Sequence, residues 1–328
     1  MTLWRLSAIA FAVLAMASPL AYAGQAFVTT QGADALDIVD LSTLSVAATL
    51  PIGGKPAGVA VSRDGARAFV ASPEGQFVTV VDARARRIER RIPVAGGPLG
   101  VAASPDGGRV YVADLYGGRL FEIDPASGTT LRRVGVGAAP SGVTATPDGK
   151  TILVADRDDN AISVVDAVRF ERVGTIAVGR HPFGIVVDAA GVRAYTANVE
   201  SDNVSVIDIA ARRVVATLKT GSRPYAVALA AGRIFVANQH ADSVSVFDEK
   251  NLASLGEIPV GEYPEGISAT PDGEKVLVAC WFSNELWAID PQRLRTLGKT
   301  ATGDGPRAFG LFVAPGDLPA PSGARVPD

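Results

Sequence analysis

The sequence predicts an all-β protein, a seven-bladed β-propeller of four-stranded antiparallel blades whose ring is closed by a blade shared between the N- and C-terminal strands. Three observations carry this expectation. A proline recurs at Pro56, Pro98, Pro140, Pro182, Pro224, Pro264 and Pro306, spaced by 42 residues except for one step of 40. An aspartate closing a β-like run recurs in the same steps at Asp40, Asp82, Asp124, Asp166, Asp208, Asp248 and Asp290. A large apolar residue keeps the same phase at Phe27, Phe69, Tyr111, Leu153, Tyr195, Phe235 and Leu277. A fixed period of this length marks a repeat architecture, and four short strands per period is the composition of a propeller blade.

One unit shows the four strands, A to D. It begins at Pro140 with an A run, turns at Pro147-Asp148-Gly149, and continues through a B run ending in Val154-Ala155-Asp156. After an Asp/Asn-rich loop come a C run, Ala161 to Asp166, and a D run, Val173 to Gly179. Each run is rich in Val and Ile, and the turn chemistry between them supplies φ > 0 or side-chain caps. No segment keeps helical periodicity. The one short step comes from Ala231-Gly232, a two-residue turn where other units have a longer one. The first B-type run is Phe27-Val28-Thr29 and the last A-type run is Phe309 to Val313, so the two ends complete one blade and leave no open edge.

The chain outside this repeat reads as an address and a tail. Arg5 precedes an uncharged apolar run, Leu6 to Ala17, and Ala21-Tyr22-Ala23 is a small-x-small cleavage signal. Residues 1–23 are therefore expected to be a signal peptide cut after Ala23, because an apolar run of 12 residues is short for a bilayer anchor. Residues 24–315 form the propeller and 316–328 a Pro-rich tail expected to be disordered. The expected location is a bacterial periplasm, with no membrane span left after cleavage.

Composition removes several functions. With 31 Lys+Arg against 34 Asp+Glu the formal charge is −3, which is far from the basic balance of a nucleic-acid coat. One cysteine excludes a disulfide framework and a Cys-based metal cage, and two histidines exclude a His-rich metal buffer. There is no Cys-x-x-Cys-His, no phosphate-binding loop and no Gly-x-Ser-x-Gly.

Val110-Tyr111-Val112-Ala113-Asp114, Ala194 to Asn198 and Ile234 to Asn238 resemble the YVTN-type β-propeller repeat, as do Val204 to Asp208 and the Val-Gly-x-x-Pro-x-Gly linkers. The resemblance extends over nearly all of residues 26–314. It implies an exported seven-bladed propeller. The family's functions are diverse: surface-layer proteins, lactonase-like enzymes and components of quinone or haem pathways.

In a propeller the D–A and B–C connections share one face and meet at the central channel. Departures from the repeat on that face concentrate on one side, at His181, Phe183, Arg223, Tyr225, His240, Tyr263, Glu265, Trp281 and Arg307. An aromatic-lined concavity with a few charges suits a ligand; solvated loop tips are the plain alternative. Phe183, Arg223, Tyr225, Tyr263, Glu265, Trp281 and Arg307 are the expected ligand-binding set. Arg223 and Arg307 could hold a carboxylate or phosphate, or pair with Glu265 or Glu200. His181 and His240 are candidate bases or metal ligands, although their loops lie at different distances from the axis, so no metal is assigned. Cys280 beside Trp281 reads as a buried inert thiol, and Trp287 as packing. The aspartates that close each C run read as turn formers, not as a catalytic array.

These readings lead to a binding or scaffold protein whose partner is a small anionic ligand or a periplasmic protein, with a monomer expected and the cofactor unknown. The alternatives are a lactonase- or lyase-like enzyme with His181 or His240 as base, and an accessory protein of a periplasmic quinone, haem or metal pathway.

Overall fold

The computed structural model describes residues 24–314 and residue 316. The expected signal peptide and nearly all of the expected tail lie outside these residues. Seven sheets of four antiparallel strands make seven blades, and no helix occurs among the described residues. Blade I combines Val313–Ala314 with Gln25–Thr30, Ala35–Asp40 and Ser45–Pro51. Blades II to VII follow in chain order, each with its strands in sequence from the innermost A to the outermost D. Blade IV, for example, runs Pro140–Ala145, Thr151–Asp156, Ala161–Asp166 and Glu171–Ala177.

The large apolar series fills the spaces between blades. Phe27, Phe69, Tyr195, Phe235 and Leu277 are essentially inaccessible, and each sits in a cluster built from two or more neighbouring blades. Sheet faces packed in this way bury their apolar sides in a series of clusters between neighbouring blades. The short turn in blade VI is a two-residue hairpin: Ala230 pairs with Arg233 across Ala231 and Gly232, at φ 50° and 69°. Two left-handed residues match the twist of the flanking strands.

Turn chemistry explains the aspartate series. Asp40 Oδ1 accepts from Ser42 N at 2.9 Å, Asp124 Oδ1 from Ala126 N at 2.8 Å and Asp290 Oδ1 from Gln292 N at 2.9 Å. In the A–B turns a hydroxyl one strand-end earlier joins in: Thr146 Oγ1 donates to Asp148 Oδ1 at 2.6 Å, as does Ser104 to Asp106 in blade III. These carboxylates hold backbone and are committed to it.

Ring closure is shared as the termini suggest, but the closing A strand is shorter than the expected Phe309 to Val313. Only Val313–Ala314 pairs regularly with Gln25–Ala26. Residues 309–311 bond instead to blade II, with Val59 N donating to Phe309 O at 2.8 Å and Val61 N to Leu311 O at 2.9 Å. Gly310 permits the crossing: at φ 121° it brings the chain against the Val59 carbonyl, where a Cβ would lie 2.4 Å away. The last segment thus ties blade I to blade II as well as to the first strand.

The Pro-x-Gly step of the linkers has a packing cause. Gly58, Gly100, Gly142 and Gly184 each face the backbone of the next blade's inner strand, and Gly266 faces the carbonyls of Arg307 and Ala308 in the segment leading to blade I. Inner strands approach so closely around the axis that the channel is left as a cavity of about 90 Å³, lined by Ala60, Ala102, Val143, Ile185, Val227 and Ile267.

Candidate functional site

The D–A and B–C connections share one face, as hydrogen bonds between them show: Gln239 N donates to Arg223 O at 2.9 Å and Val199 N to His181 O at 3.0 Å. At four non-glycine positions the residue before the anchor proline is held by an Asx side chain of the preceding blade. Lys55 N donates to Asp34, His181 N to Asn160, Arg223 N to Asp202 and Tyr263 N to Asp242, all between 2.7 and 2.9 Å. These residues take φ between 53° and 59°, a region that non-glycine residues occupy only when surroundings enforce it. The scaffold therefore fixes backbone pose and leaves the side chain free to vary.

Below the mouth, Phe183, Tyr225 and Phe309 form a plug. The Phe183 and Tyr225 ring centres are 4.1 Å apart and those of Phe183 and Phe309 4.7 Å. Ala57, Leu99 and Val199 complete a buried cluster with them. Phe183 and Tyr225 were expected to line an open pocket; they close the channel instead, because small residues on the opposite blades let three rings meet on the axis.

Arg307 lies on this plug. Its Nε is 3.0 Å from Glu265 Oε2, a charge contact without hydrogen-bond alignment. Nη2 donates to the Tyr225 hydroxyl, and Nη1 donates to Gln31 Oε1 at 3.3 Å. The guanidinium is 5.8 Å from the ring centres of both Tyr225 and Trp281, within cation–π range. Glu265 Oε1 accepts from Gln239 Nε2 at 2.8 Å. Burial pushes the Glu265 carboxyl above its ordinary range, and Arg307 and Gln239 oppose that shift. Burial works against the charge on Arg307, but Glu265 and Tyr225 outweigh it and hold Arg307 firmly protonated.

Around this centre runs a rim made alternately from D–A and B–C residues. His181 bridges two carboxylates, with Nδ1 3.2 Å from Glu200 Oε1 and Nε2 3.4 Å from Asp158 Oδ1. Arg157 Nε donates to Asp158 Oδ1 at 2.8 Å. His240 is exposed and stacks at 5.5 Å on Tyr263, which stacks at 4.6 Å on Phe282. Between these halves stands Arg223, whose guanidinium makes no hydrogen bond or ion pair although its Nε is shielded from solvent. The two histidines share no contact partner, and no cluster of three metal-ligating side chains occurs among the described residues.

The residues ending each B strand lie under the face rather than on it. Asn198 and Asn238 are fully buried; Asn198 Nδ2 donates to Ser205 Oγ and Asn238 Nδ2 to Ser245 Oγ, both at 2.9 Å. Cys280 holds the same place, buried, and desolvation pushes its thiol up to about 12, which leaves it unreactive. Trp287 donates from Nε1 to Glu285 at 2.9 Å and packs in the core between blades VI and VII. Two B strands end in a buried carboxylate: Asp114 is paired with Arg119 at 2.8 Å, whereas Asp156 has no ion-pair partner among the described residues. Ser163 Oγ donates to its Oδ2 at 2.6 Å, Oδ1 has no partner, and burial raises its carboxyl to about 6.

That carboxyl gives a signed prediction. Its folded pKa is above the ordinary 3.8, so the folded chain holds the proton more tightly than the unfolded chain. The resulting penalty is complete above pH 6, shrinks between pH 6 and 4, and is absent below. Asp156→Asn recreates the blade V and VI arrangement and is expected to stabilise the protein by about 2 kcal/mol at pH 7.5, with the gain gone near pH 4. Urea melts at the two pH values check it; an equal effect at both would show that the charge is not the cause.

Fold and mouth together define a seven-bladed β-propeller with a plugged central channel and a charged, partly aromatic upper face. A family model described as a YNCE-like beta-propeller matches residues 8–109. Among solved structures, hydrazine synthase of Kuenenia stuttgartiensis is similar with a TM-score of 0.70 at 24% identity, over 77% of this chain and 88% of that one. A functionally unknown protein from Desulfotomaculum acetoxidans DSM 771 gives a TM-score of 0.75 at 13% identity, over 87% of this chain and 99% of that one. At these identities the likeness is one of fold. No curated protein matches the chain.

The sequence reading of this face missed three residues that the structure brings to it. Asp158 was absent from the candidates, although it occupies the repeat position of Glu200 and His240. Gln31 reaches Arg307 from the other end of the chain. Phe309 joins the plug from the closing strand.

Proposed function

We propose that the chain is an exported, periplasmic binding scaffold of YVTN type whose upper face takes a small anionic ligand at Arg223. The single observation behind this reading is the state of that side chain. Arg307 and Arg157 are matched by Glu265 and Asp158, whereas Arg223 has a solvent-shielded Nε and no partner. A guanidinium whose terminal nitrogens are engaged by no side chain among the described residues can take a carboxylate or phosphate without giving up an existing bond. Export rests on Arg5, the Leu6 to Ala17 run and the Ala21-Tyr22-Ala23 signal.

An enzymatic reading with His181 as base finds no support in the geometry, since both ring nitrogens already face carboxylates. His240 has a ring partner but no carboxylate to orient it.

The test uses protein recovered from a periplasmic extract, where a chain starting at Gly24 verifies export. Calorimetric titration with benzoate and with inorganic phosphate at low salt should show binding of at least one of them. Arg223→Gln should weaken it fivefold or more. Failure of both anions to bind, or equal binding by the variant, would remove the proposal.

A further inference from the structure

We infer that the ligand class is a flat aromatic carboxylate, its ring stacked on Tyr263 and Phe282 and its carboxylate on Arg223. This deepens the anion-binding reading above and rests on it. Three rings from blades VI and VII form a contiguous cluster, His240 to Tyr263 at 5.5 Å and Tyr263 to Phe282 at 4.6 Å, with the planes tilted by 42° and 46°. Phe282 is 62% exposed; its repeat position holds Asp158 and Glu200 in blades IV and V and rings in blades III and VI, Tyr116 and His240, but only the blade VI and VII rings touch a further ring, Tyr263. An exposed phenylalanine packed against a second ring on this face points to a partner that covers both.

The cluster begins beside Arg223, because Gln239 N and His240 N donate to the carbonyls of Arg223 and Ser222. Tyr263 is fixed in a left-handed conformation by Asp242, so its ring is already posed before a ligand arrives, which lowers the ordering cost of binding. A planar ring carrying one carboxylate suits a cluster of exposed rings whose His240 end borders the loop that carries Arg223. The other exposed ring of this face, Tyr116, is 73% exposed on blade III beside Gly97 and has no ring partner. It serves as the internal control.

Titration with 2-naphthoate and with cyclohexanecarboxylate separates the ring from the charge. The flat ligand should bind roughly tenfold more tightly. Phe282→Ala should remove most of that preference, and Tyr116→Ala should leave it intact. Equal affinities for the two ligands, or a preference that survives Phe282→Ala, would overturn the aromatic assignment. If both carboxylates then still lose affinity in Arg223→Gln, the anion-binding reading stands without it. If neither carboxylate binds the native protein, the aromatic assignment falls, and the anion-binding reading falls with it only if inorganic phosphate does not bind either.

Discussion

Arg307→Met is expected to destabilise the protein by about 3 kcal/mol at pH 8, the lower end of what breaking a buried ion pair costs. The lower end applies because the arginine side chain keeps 20% of its exposure while Glu265 keeps 7%. The loss comes from Glu265. Its only remaining partner would be the Gln239 amide, and burial already lifts its pKa with Arg307 in place. Without the arginine that pKa rises further, so the folded state binds a proton that the unfolded state has released. Stability then falls as pH rises through the folded pKa, and the deficit should be smaller at pH 5 than at pH 8. Methionine keeps much of the arginine's volume against Tyr225 and Trp281, so packing loss stays small. Adding Glu265→Gln to the variant should restore most of the loss at pH 8. Urea unfolding of the three proteins at the two pH values measures each term. A deficit independent of pH and unrelieved by Glu265→Gln would show that packing, not the stranded carboxylate, sets the cost.

How much of this was legible in the sequence follows from what each residue answers to. Blade number, strand order and closure were readable because they depend on local rules: Pro-Asp-Gly turns, aspartates capping backbone two residues on, and period-2 runs of Val and Ile. The asymmetry of the face was readable because a repeat makes its own departures visible. Side-chain pairing was legible only in part: the Arg307–Glu265 pair stood among the alternatives, but the partners from distant blades did not. Gln31 and Arg307 meet although 276 residues separate them, and no local rule brings them together. Phe183 and Tyr225 looked like pocket walls because their position follows the anchor proline. Whether such a ring lines a channel or blocks it depends on what the other blades place opposite, here Ala57 and Leu99. Asp156 looked like a face residue and is buried, because Gly137 lets the D–A loop close over it: a Cβ there would lie 2.6 Å from the Asp156 side chain.

Gly100→Ala should be as costly as the loss of Arg307, about 3 kcal/mol or more, at the upper end of overpacking effects. Two effects compete. Replacing glycine by alanine lowers the entropy of the unfolded chain and would gain about 0.4–1 kcal/mol wherever the native backbone accepts a Cβ. Gly100 has no positive φ, so its conformation alone raises no objection. The neighbour does: the added carbon would lie 1.8 Å from the Ser141 carbonyl oxygen and 3.3 Å from Val143 Cγ2, both on the next blade. Ser141 cannot retreat freely, since its hydroxyl donates to the carbonyls of Ala155 and Pro182, which belong to blades IV and V. Relief requires the inner strands of blades III and IV to separate, and a closed ring passes that displacement to every other interface. Blade VI shows the condition under which alanine is accepted at this position. Ala226 lies against Gly184, where a second Cβ would come within 3.1 Å of the first, so bulk on one blade is matched by its absence on the neighbour. Gly135→Ala is the matched control: nothing lies within 4 Å of its Cβ position and its φ is not positive. Thermal unfolding of the two variants should give a large drop for Gly100→Ala and no loss for Gly135→Ala. Equal behaviour would mean that the inner strands can yield, and that ring closure is not what makes the Pro-x-Gly step necessary.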